Sequence, residues 1–581
     1  MQQFSGKAIS PGYAEGTAFV YRRLDHRDIP RYEIVDSDVS MEHRRLHDAI
    51  TRSFQELKQL EAQVVARLGE AHSAIFAAHL GLLQDQQFVA RIRERIQRDL
   101  INVEHALDIE VTDLCKVLAA VENEYLRERA QDIRDVSARV LRQLVAEDGG
   151  RYEELPPRSI IVAHELLPSE TLDLDREHVA GIVTEVGGEN SHAAILARAL
   201  GIPAITGVAD ATSQIPHGAQ LLIDGERGLL SVTPNDAAKA TFTTLKSNYD
   251  DDTSAAVAAE NLDCITRDGT RISLFANINR PFESRAIAEH HLDGVGLFRT
   301  EFMFLESTEP PGYARQVDAY REMITPLGDK PVVIRTLDLG GDKLPAFLAP
   351  ERRANPLLGL RGLQFSLAER KLLETQLRAI ITASQGHDNV RVLLPMVLGE
   401  GDLDEAITLV RNLSTQLGVT SPPRVGAMVE TPSALFALDR IMHLADFVCI
   451  GTNDLTQYML AADRNASEVG DAYSVLHPSV LRAIVKVIEA GRSAGREVSI
   501  CGEAASYPKT AGLLVGLGVR QLSMSPLRAA RVRYLLRKAE LSQLEELAER
   551  ALNSSSVEAV RQLLQHSPLT RTHCDSVSNA V

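Results

Sequence analysis

Hydrophobic positions divide the 581-residue chain into three regimes. From about 40 to 145 they recur every three or four residues. Leu46, Ile50, Phe54, Leu57, Leu60, Val64 and Leu68 form one stripe; Val111, Leu114 and Leu118, then Ile133, Val136, Val140 and Leu144, form another. That period marks amphipathic helices. No strand signal interrupts them, so the region is predicted to be a helical bundle. Residues 1–20 read as a strand and turns. AEDGGRYEELPPR (146–158) is a breaker segment. Beyond it the pattern shortens to strands around one helix, as far as about 232: SIIVAHEL, VAGIVTEVGG, SHAAILARALG, PAITGV and QLLIDGERGLLSV. This predicts a compact α/β unit. Residues 234–262 are polar and Ala-rich, with Asp250, Asp251 and Asp252 together, and suit an exposed helical linker.

The third regime holds eight apolar runs of β type, at 272–278, 294–302, 331–340, 390–397, 424–430, 447–455, 497–505 and 520–526. Near-continuous apolar strands belong to a buried parallel sheet. Eight of them with intervening helices, over roughly 300 residues, favour a (β/α)8 barrel over an open sheet. The Ser-rich stretch after 553 is expected to be a flexible tail.

Charge narrows the function classes. Lys+Arg number 62 and Asp+Glu 79, a formal net charge of −17. Such a chain repels phosphate backbones and anionic membrane surfaces, so neither nucleic acid nor membrane is expected as a partner. Aromatics are 5% and Trp is absent, which leaves no base-stacking platform. No run approaches the roughly 18 apolar residues of a membrane span. The opening MQQFSGKAISPGYAEG has no basic segment followed by a long apolar one, so no export signal is expected. The five cysteines are widely spaced and form no CxxC pair, against a disulfide framework or a structural zinc site. The expectation is a multi-domain protein of a reducing cytoplasm.

In a (β/α)8 barrel, chemistry sits at the carboxyl ends of the strands. Those ends carry Arg299–Thr300–Glu301; then Arg335, Asp338 and Asp342–Lys343, with Asn355 and Arg361 in the following loop. Next come Glu430, then Gly451–Thr452–Asn453–Asp454 with Arg464 shortly after, and last Cys501–Gly502–Glu503. Arginine forks match carboxylate and phosphate. Two carboxylates with open positions for water and phosphate oxygens match Mg²⁺. The set therefore suits a small, multiply charged anion held on a metal; salt bridges at the barrel rim are the other reading. A second centre is Gly187–Gly188–Glu189–Asn190–Ser191–His192. An apolar strand runs through a Gly–Gly turn into a helix whose first turn holds His192. Exposed N–H groups there favour an anion and keep the imidazole neutral and nucleophilic, whereas an ordinary residue there would only cap or pack. A His able to visit the barrel's anion site, with the linker as hinge, would join the two centres.

GGENSHAAILARALGIPAITG resembles the phosphohistidine segment of the PEP-utilising enzymes. GLFRTEFMF, RTLDLGGDK, NPLLGLRG, VETPSA, IGTNDLTQY and CGEAAS resemble their PEP-binding half, and EYLRERAQDIRDV (124–136) narrows the resemblance to the enzyme I family of the bacterial phosphotransferase system. The resemblance covers nearly all of 1–555. It implies a phosphohistidine swivel α/β domain (1–25 and 146–232) with an inserted helical carrier-binding subdomain (26–145). A linker (233–262), a PEP-binding TIM barrel (263–553) and the tail (554–581) would follow.

The resemblance also implies roles. His192 would accept the phosphoryl group of phosphoenolpyruvate, with Thr171 against it. Arg299 and Arg335 would bind the phosphate, with Arg464 completing the cationic mouth; Arg361 would support the same pocket, Lys343 would be auxiliary to it, and Asn453 would hydrogen-bond the substrate. Glu430 and Asp454 would hold Mg²⁺. Cys501 would protonate the enolate methylene to leave pyruvate. The phosphoryl group would pass to a His on HPr or a nitrogen-branch relative, and the protein would dimerise through its barrel. Two departures bear on the partner. The family's usual Arg and Thr are replaced by Glu189 and Asn190, and its acidic docking segment reads Leu82–Leu83–Gln84–Asp85–Gln86–Gln87, which weakens steering of a basic carrier. The competing readings are a dikinase or synthase of the same family without its nucleotide domain, and a non-catalytic PEP-sensing scaffold. The absence of a P-loop signature weighs against the first, and intact His192, Glu430, Asp454 and Cys501 weigh against the second.

Overall fold

The computed structural model describes residues 2–21, 29–68, 80–120, 124–146, 156–166, 178–187, 194, 197, 201–305, 307, 309–339, 358–462 and 474–567. The chain divides into two units, 1–250 and 251–581.

In the first unit the helical stripes become Val39–Leu68, Gln86–Asp99, Val103–Ala120 and Glu124–Ala146. Leu46 and Leu57 from the first stripe and Val136, Val140 and Leu144 from the second meet in one core, with Ile92, Ile96 and Leu107. Asp85 starts the second helix by accepting the N–H groups of Gln87 and Phe88 at 2.8 and 3.3 Å, the usual satisfaction of orphan donors at a helix start.

The α/β part is an eight-stranded sheet of order β1-β8-β7-β3-β4-β5-β6-β2. Its strands are β1 (Gln2–Ser5), β2 (Lys7–Ser10), β3 (Tyr13–Tyr21), β4 (Ser159–Ala163), β5 (Val179–Thr184), β6 (Ala204–Thr206), β7 (Gln220–Asp224) and β8 (Leu229–Val232). The N-terminal stretch thus supplies three strands where the sequence pattern indicates one. β3 alternates half-buried and buried along its whole length, the period-2 signature of a strand with one face on a core. It pairs in parallel with β4, Thr17 opposite Ser159, so the chain leaves the sheet for the helical bundle and re-enters at the adjacent position. Helix Asp236–Ala258 follows, and the boundary between the units falls within it.

The second unit is a closed parallel barrel. Its strands are β9 (Ser273–Ile278), β10 (Gly294–Arg299), β11 (Val332–Arg335), β12 (Val390–Leu394), β13 (Arg424–Val429), β14 (Phe447–Ile450), β15 (Glu497–Ile500) and β16 (Gln521–Met524). Gln521 pairs with Ser273 and closes it. Each strand lies within one of the eight apolar runs. The runs are nearly continuous because both faces are buried. Val332 and Ile334, Val392 and Leu394, and Val448 and Ile450 face the helical layer. Val333, Leu393, Phe447, Cys449, Met428, Leu297 and Cys501 fill the barrel interior. A Cβ on Gly426 would lie 2.4 Å from the Phe447 ring, so glycine there makes room for the largest interior side chain.

The expected flexible tail from 554 is corrected in part. Val557–Gln565 is a helix, and Ser556 accepts the Ala559 N–H at 3.2 Å. Val560 and Leu564 are buried in the barrel's outer core. The serine cluster that suggests disorder acts here as a helix start. Residues 568–581 lie outside the described residues.

Candidate active site at the barrel mouth

β10 and β11 end side by side, with Arg299 in register with Arg335. Two guanidinium groups in register repel unless anions intervene. Arg335 has its anions: its Nη2 donates to Oε1 of Glu301 at 2.9 Å, and Nη1 lies 3.1 Å from Oδ2 of Asp338. Glu301 also accepts the Asp338 N–H at 2.9 Å, which ties both strand ends together. Burial disfavours the Arg335 charge, but Glu301, Asp338 and Glu430 outweigh it and hold the guanidinium protonated. Arg299 is half-buried, and its side chain hydrogen-bonds none of the described residues.

Arg361 precedes helix Gly362–Ala368 and is clamped between two carboxylates. It approaches Asp338 at 3.3 Å through Nε and Nη2, and Asp454 at 2.8 and 3.0 Å through Nη1 and Nη2. Tyr458 accepts a further bond from it at 3.3 Å. Asp454 lies in the first turn of helix Thr452–Leu460, which starts directly after β14. Glu430 follows β13 and is 1% exposed. Its Oε1 accepts the Met396 N–H at 2.7 Å, and its Oε2 would be 2.4 Å from a Cβ on Gly451. Met396 itself sits at φ 54°, a left-handed conformation costing a non-glycine residue about 1 kcal/mol or more, and that strained turn aims its N–H at the carboxylate. Burial, then the charges of Asp454 and Asp338, push Glu430 well above the usual carboxylate range.

Cys501 follows β15 and is 2% exposed. Its Sγ lies 3.7 Å from the Ile450 carbonyl, and the Asn277 amide donates to its carbonyl at 2.9 Å. Contact with the Cys449 thiol, then burial, raise its pKa well above the ordinary thiol value, against Arg335 and Arg299. Asn453 accepts the Glu503 N–H at 3.4 Å, which joins the β14 and β15 ends.

Seven expected site residues thus lie at one end of one barrel: Arg299, Arg335, Arg361, Glu430, Asn453, Asp454 and Cys501. His192, Thr171, Lys343 and Arg464 lie outside the described residues. Sequence reasoning leaves Gln376 and Cys449 without a role. Gln376, 1% exposed in helix Arg370–Ala383, accepts the Leu337 N–H at 2.9 Å and donates to Thr300 Oγ1 at 3.1 Å. Thr300 in turn donates to the Arg335 carbonyl at 3.0 Å. Its signal is a polar residue on the apolar stripe of Leu373, Leu377 and Ile380. Cys449 reads in sequence only as a small core residue.

Comparison with known proteins bears on the whole chain. Residues 254–541 match the family model of the PEP-binding domain of PEP-utilising enzymes, 155–228 that of their mobile domain and 5–129 that of their N-terminal domain. The chain is 36% identical over 560 residues to the phosphoenolpyruvate-protein phosphotransferase of Enterococcus faecalis, covering 95% of this chain and 96% of the relative. It is 34% identical over 565 residues to that of Bacillus subtilis, covering 96% and 98%. With a closed parallel barrel, a mixed α/β sheet and full-length similarity of this degree, the chain belongs to the phosphoenolpyruvate-protein phosphotransferase family of PEP-utilising enzymes.

Proposed function

We propose that the chain transfers the phosphoryl group of phosphoenolpyruvate to its own His192, releases pyruvate, and passes the group to a histidine of a small phosphocarrier protein. The observation that carries this reading is the composition of the mouth. A guanidinium open among the described residues (Arg299), a second held charged by its neighbours (Arg335) and a protonated thiol (Cys501) lie at the ends of β10, β11 and β15. Such a site binds an anionic phosphate ester and has a proton to give.

The residues divide the work. Arg299 and Arg335 take the phosphate oxygens, and Arg464 and Asn453 complete the substrate contacts. Arg361 and Lys343 support the pocket. As the imidazole of His192, oriented by Thr171, forms its bond to phosphorus, the ester P–O bond breaks and its electron pair stays on the enolate oxygen. Cys501 then gives its proton to the methylene carbon, and the enolate becomes pyruvate. A thiol whose pKa is raised keeps that proton until a strong carbon base forms beside it.

Glu430 and Asp454 fit Mg²⁺, because they are hard oxygen donors and the crowding of Glu430 by Asp454 and Asp338 is relieved by a divalent cation. The bound ion would neutralise charge on phosphate and enolate oxygens. The partner is HPr or a nitrogen-branch relative, and the reading puts a homodimer, joined through the barrel, in the cytoplasm. No helix among the described residues is long and apolar enough to cross a membrane.

Incubation with radiolabelled phosphoenolpyruvate and Mg²⁺ tests the reading. It predicts an acid-labile, base-stable label that His192→Ala abolishes and that one added carrier removes. Label persisting in His192→Ala would reassign the nucleophile. Labelling by MgATP but not by phosphoenolpyruvate would move the chain to the dikinases.

A further inference from the structure

Cys449 and Cys501 are both free and buried, and both belong to the cluster inside the barrel. They come from adjacent parallel strands. Cys449 on β14 is in register with Ser499 on β15, and Ile450 with Ile500. Cys501 is two residues beyond Ser499, so it projects to the same face as Ser499 and Cys449. The ladder holds the pair in step, since the Cys501 N–H donates to the Ile450 carbonyl at 3.2 Å. Both side chains pack in the same buried cluster inside the barrel, where the Cys501 Sγ lies 3.7 Å from the Ile450 carbonyl. A strand spacing of about 4.8 Å and a two-residue rise of about 6.6 Å set a Cα diagonal of roughly 8 Å. That exceeds the span of about 7 Å that a disulfide bridges without backbone movement. The pair therefore packs side by side on one face of the ladder and is not placed to form a disulfide.

The acid step sets a conflict that this contact resolves. Phosphate binding requires guanidinium groups, and a cation beside a thiol favours the thiolate. The charged and titratable groups bearing on Cys501 are Arg299 from β10, Arg335 from β11 and Cys449 from β14; Asn277 from β9 reaches its carbonyl through an uncharged amide. With only the two arginines beside it, the sulfur would tend to lose its proton before any enolate formed. The apolar interior and the neighbouring thiol oppose that loss. We propose that Cys449 is a positioning residue for proton delivery, its thiol holding the Cys501 sulfur in place and in its protonated form. This rests on the reading of Cys501 as the acid.

The test uses the full-length protein under reducing conditions. Iodoacetamide alkylation of Cys501 is followed by mass spectrometry as a function of pH for the parent, Cys449→Ala and Cys449→Ser, beside the pH profile of turnover. In Cys449→Ala the alkylation midpoint is expected to move down by about one pH unit, which makes Cys501 about tenfold more reactive on the rising limb. The alkaline limb of turnover should shift with it. Cys449→Ser, which retains a donor and acceptor, should return both towards the parent. An unmoved midpoint in Cys449→Ala would overturn the proposal, as would faster alkylation at every pH with no shift, the mark of loosened packing alone. The underlying reading fails separately, if phosphoenolpyruvate does not protect Cys501 in the parent or if Cys501→Ser keeps near-full turnover.

Discussion

A single hydrogen atom in place of a methyl group decides the position of Glu430. A Cβ on Gly451 would lie 2.4 Å from Oε2 and 3.0 Å from Cβ of that residue, so Gly451→Ala must displace the carboxylate. The expected result is a Mn²⁺ affinity lowered roughly tenfold or more and a loss of turnover, with melting changed by only a few degrees. Mn²⁺ titration by electron paramagnetic resonance checks it, and unchanged affinity would remove Glu430 from the proposed ligand pair. Arginine roles also separate at this scale. Arg299, Arg335 and Arg361 look alike in sequence, yet Arg335 and Arg361 are held by buried carboxylates while Arg299 has no such partner among the described residues. Residue type indicates a cationic mouth. Which cation is open depends on Glu301, Asp338 and Asp454, and that is a matter of packing.

Among elements, helix Arg370–Ala383 reaches the site through Gln376. Gln376 spans from the Leu337 N–H to Thr300, so one side chain fixes the segments that carry Arg299, Glu301, Arg335 and Asp338. Gln376→Leu keeps the volume and strands a buried N–H. We expect a stability cost of about 1–3 kcal/mol and a KM for phosphoenolpyruvate raised about tenfold, with a smaller change in kcat. Steady-state kinetics beside thermal melting distinguishes this from simple destabilisation, because an unchanged KM would mean that the helix only packs. The eight barrel strands were legible because burial on both faces leaves apolar runs that stand out. The N-terminal strands were less so: β1 and β2 are four residues each and gain their ladders from β8 and β6, more than 190 residues later in the chain.

At the scale of the whole molecule, two units with separate cores carry the two halves of the proposed chemistry. Phosphoenolpyruvate with Mg²⁺ binds the barrel in this reading, and ligand at a hundredfold excess over Kd stabilises its site by about 2.7 kcal/mol. Calorimetry should resolve two transitions, and only the one belonging to the barrel should rise, by roughly 4 °C. A single transition, or an equal rise in both, would show that the units do not melt independently.

The sequence by itself determined the helical bundle, the α/β unit, the eightfold βα alternation and the residues ranged along the strand ends. Each of these is written in local periodicity and in the residue types that phosphate and metal chemistry require. Only the tertiary structure decided which arginines are neutralised, that Met396 and Gly451 shape the surroundings of Glu430, that Gln376 clips two strand ends, that the stretch after 553 continues as a helix with one face buried, and that Cys449 and Cys501 share the barrel interior. The reason is that hydrogen bonds, charge pairing and close contact depend on distance between residues far apart in the chain, and a linear pattern carries no such distance until the barrel closes.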